Sequence, residues 1–180
     1  MCGRVITKAS VAELVTSFAV ERRQGDVPRD LKARYNGAPG LDYPLIIREH
    51  DMPGATFMMA RWGLVPRWVR EARPKFRPIN AASETIASNG MFRAAYRWRR
   101  AIMPIDGFFE WQAIRGARAK RPFAVAMKSG KPFALAAIWE SRVDPETGLE
   151  QKTFAVVTCP ANELMAEIHD RMPVILAPED

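Results

Sequence analysis

The chain has 180 residues, 48% of them hydrophobic, enough for one domain with a sizeable core. Its 27 Lys and Arg against 20 Asp and Glu leave a net charge of +7, concentrated in arginine-rich stretches at 61–77 and 93–121 that suit phosphate oxygens. No apolar run is long enough to cross a membrane and no leader pattern opens the chain. Cys2, Cys159, His50 and His169 offer neither a disulfide framework nor metal-ligand spacing, so a cytoplasmic monomer without metal or cofactor is expected.

Residues 2–7 read as a short strand. Ser10 and Glu13 form a capping box that starts a short helix with Val11, Leu14, Val15 and Phe18 on one face. Residues 21–33 are polar and read as a loop, and 34–40 as a turn rich in Asn, Gly and Pro. Residues 43–48 and 55–62 predict a hairpin around a turn at 51–54. Residues 67–78 read as an irregular basic loop. Asn80 leads into a short helical region, and 91–98 predict a second. Five strands follow, over 100–105, 108–113, 123–127, 133–139 and 153–158. The turn Ser129-Gly130-Lys131-Pro132 predicts a hairpin between the third and fourth, and 144–148 the loop of a longer one. Asn162 caps a short helix that ends before His169, and 174–176 form a last strand. The fold class is α+β, mostly β, with a barrel-like or two-sheet core and short peripheral helices, in a single domain spanning 1–180.

Chemistry concentrates at the start. If Met1 is trimmed, Cys2 carries a free α-amine beside its own thiol. That pair condenses with an aldehyde to an imine, and the thiol closes on it to a five-membered thiazolidine. Ordinary pKa values near 8 and 8.5 leave both nucleophiles accessible at neutral pH after a modest local shift. On position alone, an ordinary strand start is the simpler role. Glu110, between aromatics in a predicted strand, is costly to bury unless it has a partner or a job, and general acid/base work is one such job. An outward-facing position or an arginine partner is the alternative. His169, beside Asp170 at a helix end, suits proton donation or a C-terminal cap. Asn80, among small neighbours, can hold a ligand with an amide that both donates and accepts, or can serve as a turn or cap residue. Cys159 reads as a buried core thiol and His50 as a surface turn residue. Trp62, Trp68, Trp98 and Trp111 lie in the basic stretches and offer stacking faces or core anchors.

Seven segments in order resemble the SOS response-associated peptidase (SRAP) family of abasic-site processing proteins. They are Met1-Cys2-Gly3-Arg4; Arg34-Tyr35-Asn36 with Ala38-Pro39; Trp62-Gly63-Leu64-Val65-Pro66 with Trp68; Ile79-Asn80-Ala81 with Glu84-Thr85; Arg99-Arg100 through Asp106-Gly107-Phe108-Phe109-Glu110-Trp111; Ala137-Ile138-Trp139-Glu140; and Ile168-His169-Asp170-Arg171-Met172-Pro173. The resemblance implies an open β-barrel flanked by helices. Its implied partner is single-stranded DNA carrying an abasic site, whose ring-opened sugar offers an aldehyde. The implied product is a stable thiazolidine cross-link that shields the lesion, with reversal and self-cleavage before the cysteine as further family activities. Cys2 would supply both nucleophiles, Glu110 would shuttle protons, His169 would protonate the sugar ring oxygen, and Asn80 would hold the sugar or the N-terminal residue. Arg4, Asn36, Trp68 and Arg171 would lie along the DNA, placing the bound protein at the nucleoid.

Two departures stand out. Ala82 takes the place of an arginine expected to contact phosphate, with Arg77 a candidate substitute. The chain also stops at Pro178-Glu179-Asp180, earlier than the family pattern, which implies a truncated C-terminal end. Two other function classes fit parts of the sequence. One is an N-terminal-nucleophile hydrolase using Cys2, Glu110 and His169, which leaves the basic stretches unexplained. The other is a non-catalytic single-strand binding module of arginines and tryptophans.

Overall fold

The computed structural model describes residues 2–49 and 52–178; the expectations for Met1, His50 and Asp51 lie outside them. In chain order the elements are β1 (Val5–Thr7), α1 (Val11–Ser17), β2 (Val20–Arg23), β3 (Arg34–Gly37), β4 (Asp42–Arg48), β5 (Ala55–Trp62), β6 (Asn80–Ala82) and α2 (Arg93–Trp98). There follow β7 (Arg100–Ile105), β8 (Gly107–Ala113), β9 (Lys120–Val125), β10 (Phe133–Val143), β11 (Glu150–Pro160), α3 (Glu163–Ala166), β12 (Arg171–Pro173) and β13 (Ile175–Leu176). Two of the helices start where side chains satisfy their free N–H groups. Ser10 Oγ accepts from Glu13 N at 3.2 Å, and Asn162 Oδ1 from Met165 N at 2.9 Å. Of the apolar face expected for α1, only Leu14 is fully buried, because this two-turn helix touches the core along a single line.

Five strands close into a barrel. β11 pairs β10, β10 pairs β7, β7 pairs β4 and β4 pairs β5, all antiparallel, and β5 returns to β11 in parallel. A ring of five strands needs at least one parallel seam, because alternating directions around an odd number cannot match at the join. Residues alternate along each strand, and one core cluster draws on all five: Tyr43 and Leu45, Met58 and Trp62, Met103, Leu135, and Phe154 with Val156. At the seam, the Trp62 and Phe154 rings stack 6.1 Å apart, with Tyr43 edge-on to Trp62 at 5.8 Å. These three aromatics come from β5, β11 and β4, so they bridge the join that local hydrogen bonding does not specify.

A second sheet, in the order β3-β1-β8-β9, brings Cys2, Val5 and Phe108 into the same core. The edge strand β9 carries Lys120, Arg121 and Pro122, which discourage pairing with another chain. Gly37 on the opposite edge is sterically required: a Cβ there would sit 2.6 Å from the Tyr43 hydroxyl, which donates to Ala38 O at 2.9 Å.

Four expectations are corrected. The segments read as a loop and a turn contain β2 and β3, short strands whose charged residues are accommodated because they pair at sheet margins. Residues 80–82 are the strand β6 beside β11, not a helix start. The turn at 129–132 does not close a hairpin: β9 pairs β8 in one sheet and β10 pairs β7, β11 and β13 in the other, so this turn carries the chain between sheets. Strands β10 and β11 extend well beyond the predicted ends because they support each other out to Val143 and Glu150. No helix among the described residues is long and apolar enough to cross a membrane.

Candidate active site

Cys2 is fully buried (0% exposed) on the approach to β1, within the barrel core cluster. Its carbonyl accepts a hydrogen bond from Asn80 Nδ2 at 3.0 Å. Asn80 is held there by its neighbour. Ile79 O accepts both Trp62 Nε1 at 2.8 Å and Val156 N at 3.0 Å, pinning the head of β6 to the closed seam. Asn80 Oδ1 is buried and has no hydrogen-bond partner among the described residues, so the amide presents an open acceptor beside Cys2.

Glu110 reaches the same place along β8. The β1–β8 ladder pairs Val5 with Phe108 and Ile6 with Gly107, and Phe109 N donates to Arg4 O at 2.9 Å. Continued by two steps, that register sets Glu110 level with Gly3. The carboxylate is 1% exposed. Burial first, and then the Glu110 charge, push the Cys2 thiol up to about 12. This corrects the expectation of a modest shift: burial and a neighbouring carboxylate both oppose the thiolate, so with Met1 attached Cys2 is held as a neutral thiol throughout the neutral range.

His169 follows α3, with its N–H bonded to Met165 O at 2.8 Å. Ile168 before it packs on the core that holds Cys2, and Gln112 Nε2, two residues past Glu110, donates to Glu167 O. Its Nδ1 lies 3.0 Å from Arg171 N and 2.8 Å from Asp170 Oδ1. A neutral Nδ1 accepts from the Arg171 N–H, whereas a protonated one donates to Asp170. One ring position therefore serves two protonation states, each with a ready partner.

The residues expected along DNA are less uniform. Arg4 is half-buried, with NH1 3.3 Å from Gly3 O, and Asn36 is exposed on β3. Trp68 is 59% exposed, whereas Trp62 is core. Arg77 is half-buried, with its Nε bonded to Pro74 O at 3.3 Å. Arg171 is engaged within the protein. Its fork binds both carboxylate oxygens of Glu84, and NH2 also reaches Thr158 O at 3.0 Å and Thr158 Oγ1 at 3.2 Å. The bonds from Arg171 hold the Glu84 carboxyl down at about 2. Thr158 pairs with Ala82 across β11 and β6, so the guanidinium beside position 82 belongs to Arg171. Cys159 is half-buried rather than fully enclosed, with its thiol raised by burial.

Two residues with large structural roles carry weak signals in the sequence. Asp106 accepts Lys8 N at 2.6 Å and Ala9 N at 3.0 Å, tying the loop after β1 to β7. Arg142 is a buried arginine one residue before the exposed strand end at Val143. The buried positions 138, 140 and 142 are Ile, Glu and Arg, so no hydropathy alternation marks this face in the sequence. Asn80→Ala is expected to slow any chemistry at Cys2 by about fivefold, since a lost hydrogen bond is worth roughly 1 kcal/mol. Asn80→Asp should impair it similarly, because a carboxylate cannot donate to Cys2 O. Unchanged single-turnover rates in both variants would exclude a positioning role for Asn80.

The chain that carries this site has clear counterparts over its whole length. The SOS response associated peptidase (SRAP) family profile matches residues 1–180. The chain is 33% identical over 180 residues to the abasic site processing protein YoqW of Bacillus subtilis, covering all of this chain and 78% of that one. It is 34% identical over 183 residues to the abasic site processing protein YedK of Escherichia coli, covering 99% and 77%. A crystal structure of a Bacteroides thetaiotaomicron protein superposes with a TM-score of 0.85 at 28% identity, over 99% of this chain and 78% of that one. The chain belongs to the SOS response associated peptidase family.

Proposed function

We propose that the protein, once Met1 is removed, bonds covalently through Cys2 to the ring-opened sugar of an abasic site in single-stranded DNA. The observation that carries this reading is the placement of Cys2 between the Asn80 amide and the buried Glu110 carboxylate. Two relatives named as abasic site processing proteins support it.

The steps follow from the groups present. While Met1 is attached, the Cys2 nitrogen is an amide and cannot attack. Removal exposes an amine, by trimming or by hydrolysis of the Met1–Cys2 bond at this site. The amine adds to the aldehyde carbon, and the resulting carbinolamine loses one water to give an imine. The neutral thiol then adds across the C=N bond, with sulfur going to carbon and its proton to nitrogen. Glu110 takes a proton from the amine during addition and relays the thiol proton during closure. His169, with a partner for either protonation state, supplies the proton that favours ring opening of the sugar. The open Asn80 acceptor receives a sugar hydroxyl. A buried thiol disfavours side reactions such as oxidation until substrate arrives.

Met1-trimmed protein mixed with a single-stranded oligonucleotide bearing one abasic site is expected to give a species that survives denaturation. Its intact mass should equal protein plus DNA less one water. Acetylating the N-terminal amine should abolish it. If fully trimmed protein yields no such species, the reading fails. Lesion-indifferent, non-covalent binding would then point to a binding module, and turnover of added amides to a hydrolase.

A further inference from the structure

Residues 67–70 and the β10–β11 hairpin line an open cavity of about 500 Å³. Arg67, Arg70, Ser141, Arg142 and Glu150 contribute its polar lining. Arg142 is 5% exposed and makes five hydrogen bonds. NH1 donates to Val69 O at 3.2 Å and Glu71 O at 2.7 Å, and NH2 to Ala72 O at 3.1 Å. Nε and NH2 both reach Gln151 Oε1, each at 3.0 Å. None of these acceptors is a carboxylate; the dipoles solvate the guanidinium, and, after the Thr147 and Glu146 backbone N–H groups, its charge in turn helps hold the Asp144 carboxyl below its usual range. The three carbonyls it gathers also fix the backbone that carries Arg67 and Arg70. Both of those are exposed, and neither makes an ion pair among the described residues. Glu150, the acidic lining residue, already accepts from Ser141 Oγ at 2.6 Å and lies 3.8 Å from Lys152 Nζ. The lining thus carries three guanidiniums against the single carboxylate of Glu150, while Asp144 and Glu146 flank the lining residue Pro145 and Glu146 is paired with Arg73.

We propose that this pocket is a phosphodiester subsite for the DNA strand that flanks the reacting nucleotide. The inference rests on the abasic-DNA reading and adds to it a second, lesion-independent contact. Its reach follows from the strand register. Asn80 lies opposite Val156, and the pocket opens six positions earlier at Glu150. At about 3.3 Å per residue the two are roughly 20 Å apart. That is about six nucleotides at a stacked spacing of about 3.4 Å, and fewer in a stretched strand. A strand confined to the Cys2 site cannot fill the pocket, whereas a longer one can. Arg67 and Arg70 supply the forks that match phosphate oxygens, and Arg142 supplies the fixed wall behind them.

The test uses intact, lesion-free strands and protein that retains Met1, so cross-linking does not enter. Strands of about four and about sixteen nucleotides span the range of single-strand sites. The longer is extended on the 5′ side in one series and on the 3′ side in another. Wild type should bind the longer strand more tightly in one series. Arg67→Ala/Arg70→Ala should lose that gain by about tenfold and keep its affinity for the short strand. Its salt slope on the long strand should fall by about 0.7, the share of one phosphate. Arg115→Ala/Arg118→Ala removes the same formal charge in the turn between β8 and β9 and should leave the gain in place. The proposal is overturned if wild type gains nothing from length, if the pocket variant keeps the gain, or if both double variants lose it equally. A wild-type protein that binds strands but, once trimmed, never cross-links would instead remove the thiazolidine reading, and leave these affinities readable.

Discussion

Cys2→Ala, with Met1 removed, is expected to lower the rate of cross-link formation by at least about a hundredfold. The alanine amine can still form an imine, but nothing closes on it, and an imine in water reverts. The advantage lost is intramolecular: the thiol is carried on the same residue as the nitrogen and attacks without a second encounter, an arrangement that supplies very large effective concentrations. Cys2→Ser separates the two nucleophiles. It keeps the amine and nearly the same volume, so its adduct should be trapped by borohydride and otherwise vanish on denaturation. Wild type should need no reductant. Denaturing gels with and without borohydride read all three proteins. An adduct from Cys2→Ala as abundant and durable as that of wild type would show that the chemistry lies elsewhere.

Glu110→Gln should slow cross-linking by about a hundredfold or more, the usual range for removing a general acid/base group. The amide fills the space of the carboxylate, so the barrel core is retained and a thermal melt near that of wild type is expected. A second readout tests the geometry independently of the reaction. The Glu110 charge opposes the Cys2 thiolate, so its removal should lower the thiol from about 12. In a Cys159→Ala background, alkylation of Cys2 at a fixed alkaline pH should therefore be faster in the Glu110→Gln variant than with the native carboxylate, because more thiolate is present. Slow cross-linking together with faster alkylation assigns Glu110 to proton transfer beside Cys2. Normal cross-linking would remove it from the mechanism, and unchanged alkylation would place its charge too far away to matter.

The residues that carry the proposed chemistry were legible from the chain alone, and so were the elements whose stability is local. Cys2, Asn80, Glu110 and His169 each suit chemistry by residue type, and the family resemblance is what joins them in one reaction. The β4–β5 hairpin and the caps at Ser10 and Asn162 declare themselves through alternation and through side chains that bond three residues on. Tertiary structure decided whatever depends on distant pairing. β2 and β3 are too short and too charged to signal themselves, and exist because a neighbouring strand satisfies their backbone. The turn at 129–132 has hairpin chemistry, yet the strands it joins lie in different sheets, since turn residues do not say which partner a strand will choose. The parallel β5–β11 seam closes the barrel between segments far apart in the chain, and only three-dimensional packing of Tyr43, Trp62 and Phe154 reveals it. The same applies to charge. The resemblance places Arg171 along the DNA, and the fold adds its bonds to Glu84 and Thr158, while nothing in the sequence singles out Arg142, which is buried beneath the basic loop. Burial and proximity set the Cys2 thiol, and neither is a property of sequence order; both arise when β1, β6 and β8 meet at one end of the barrel.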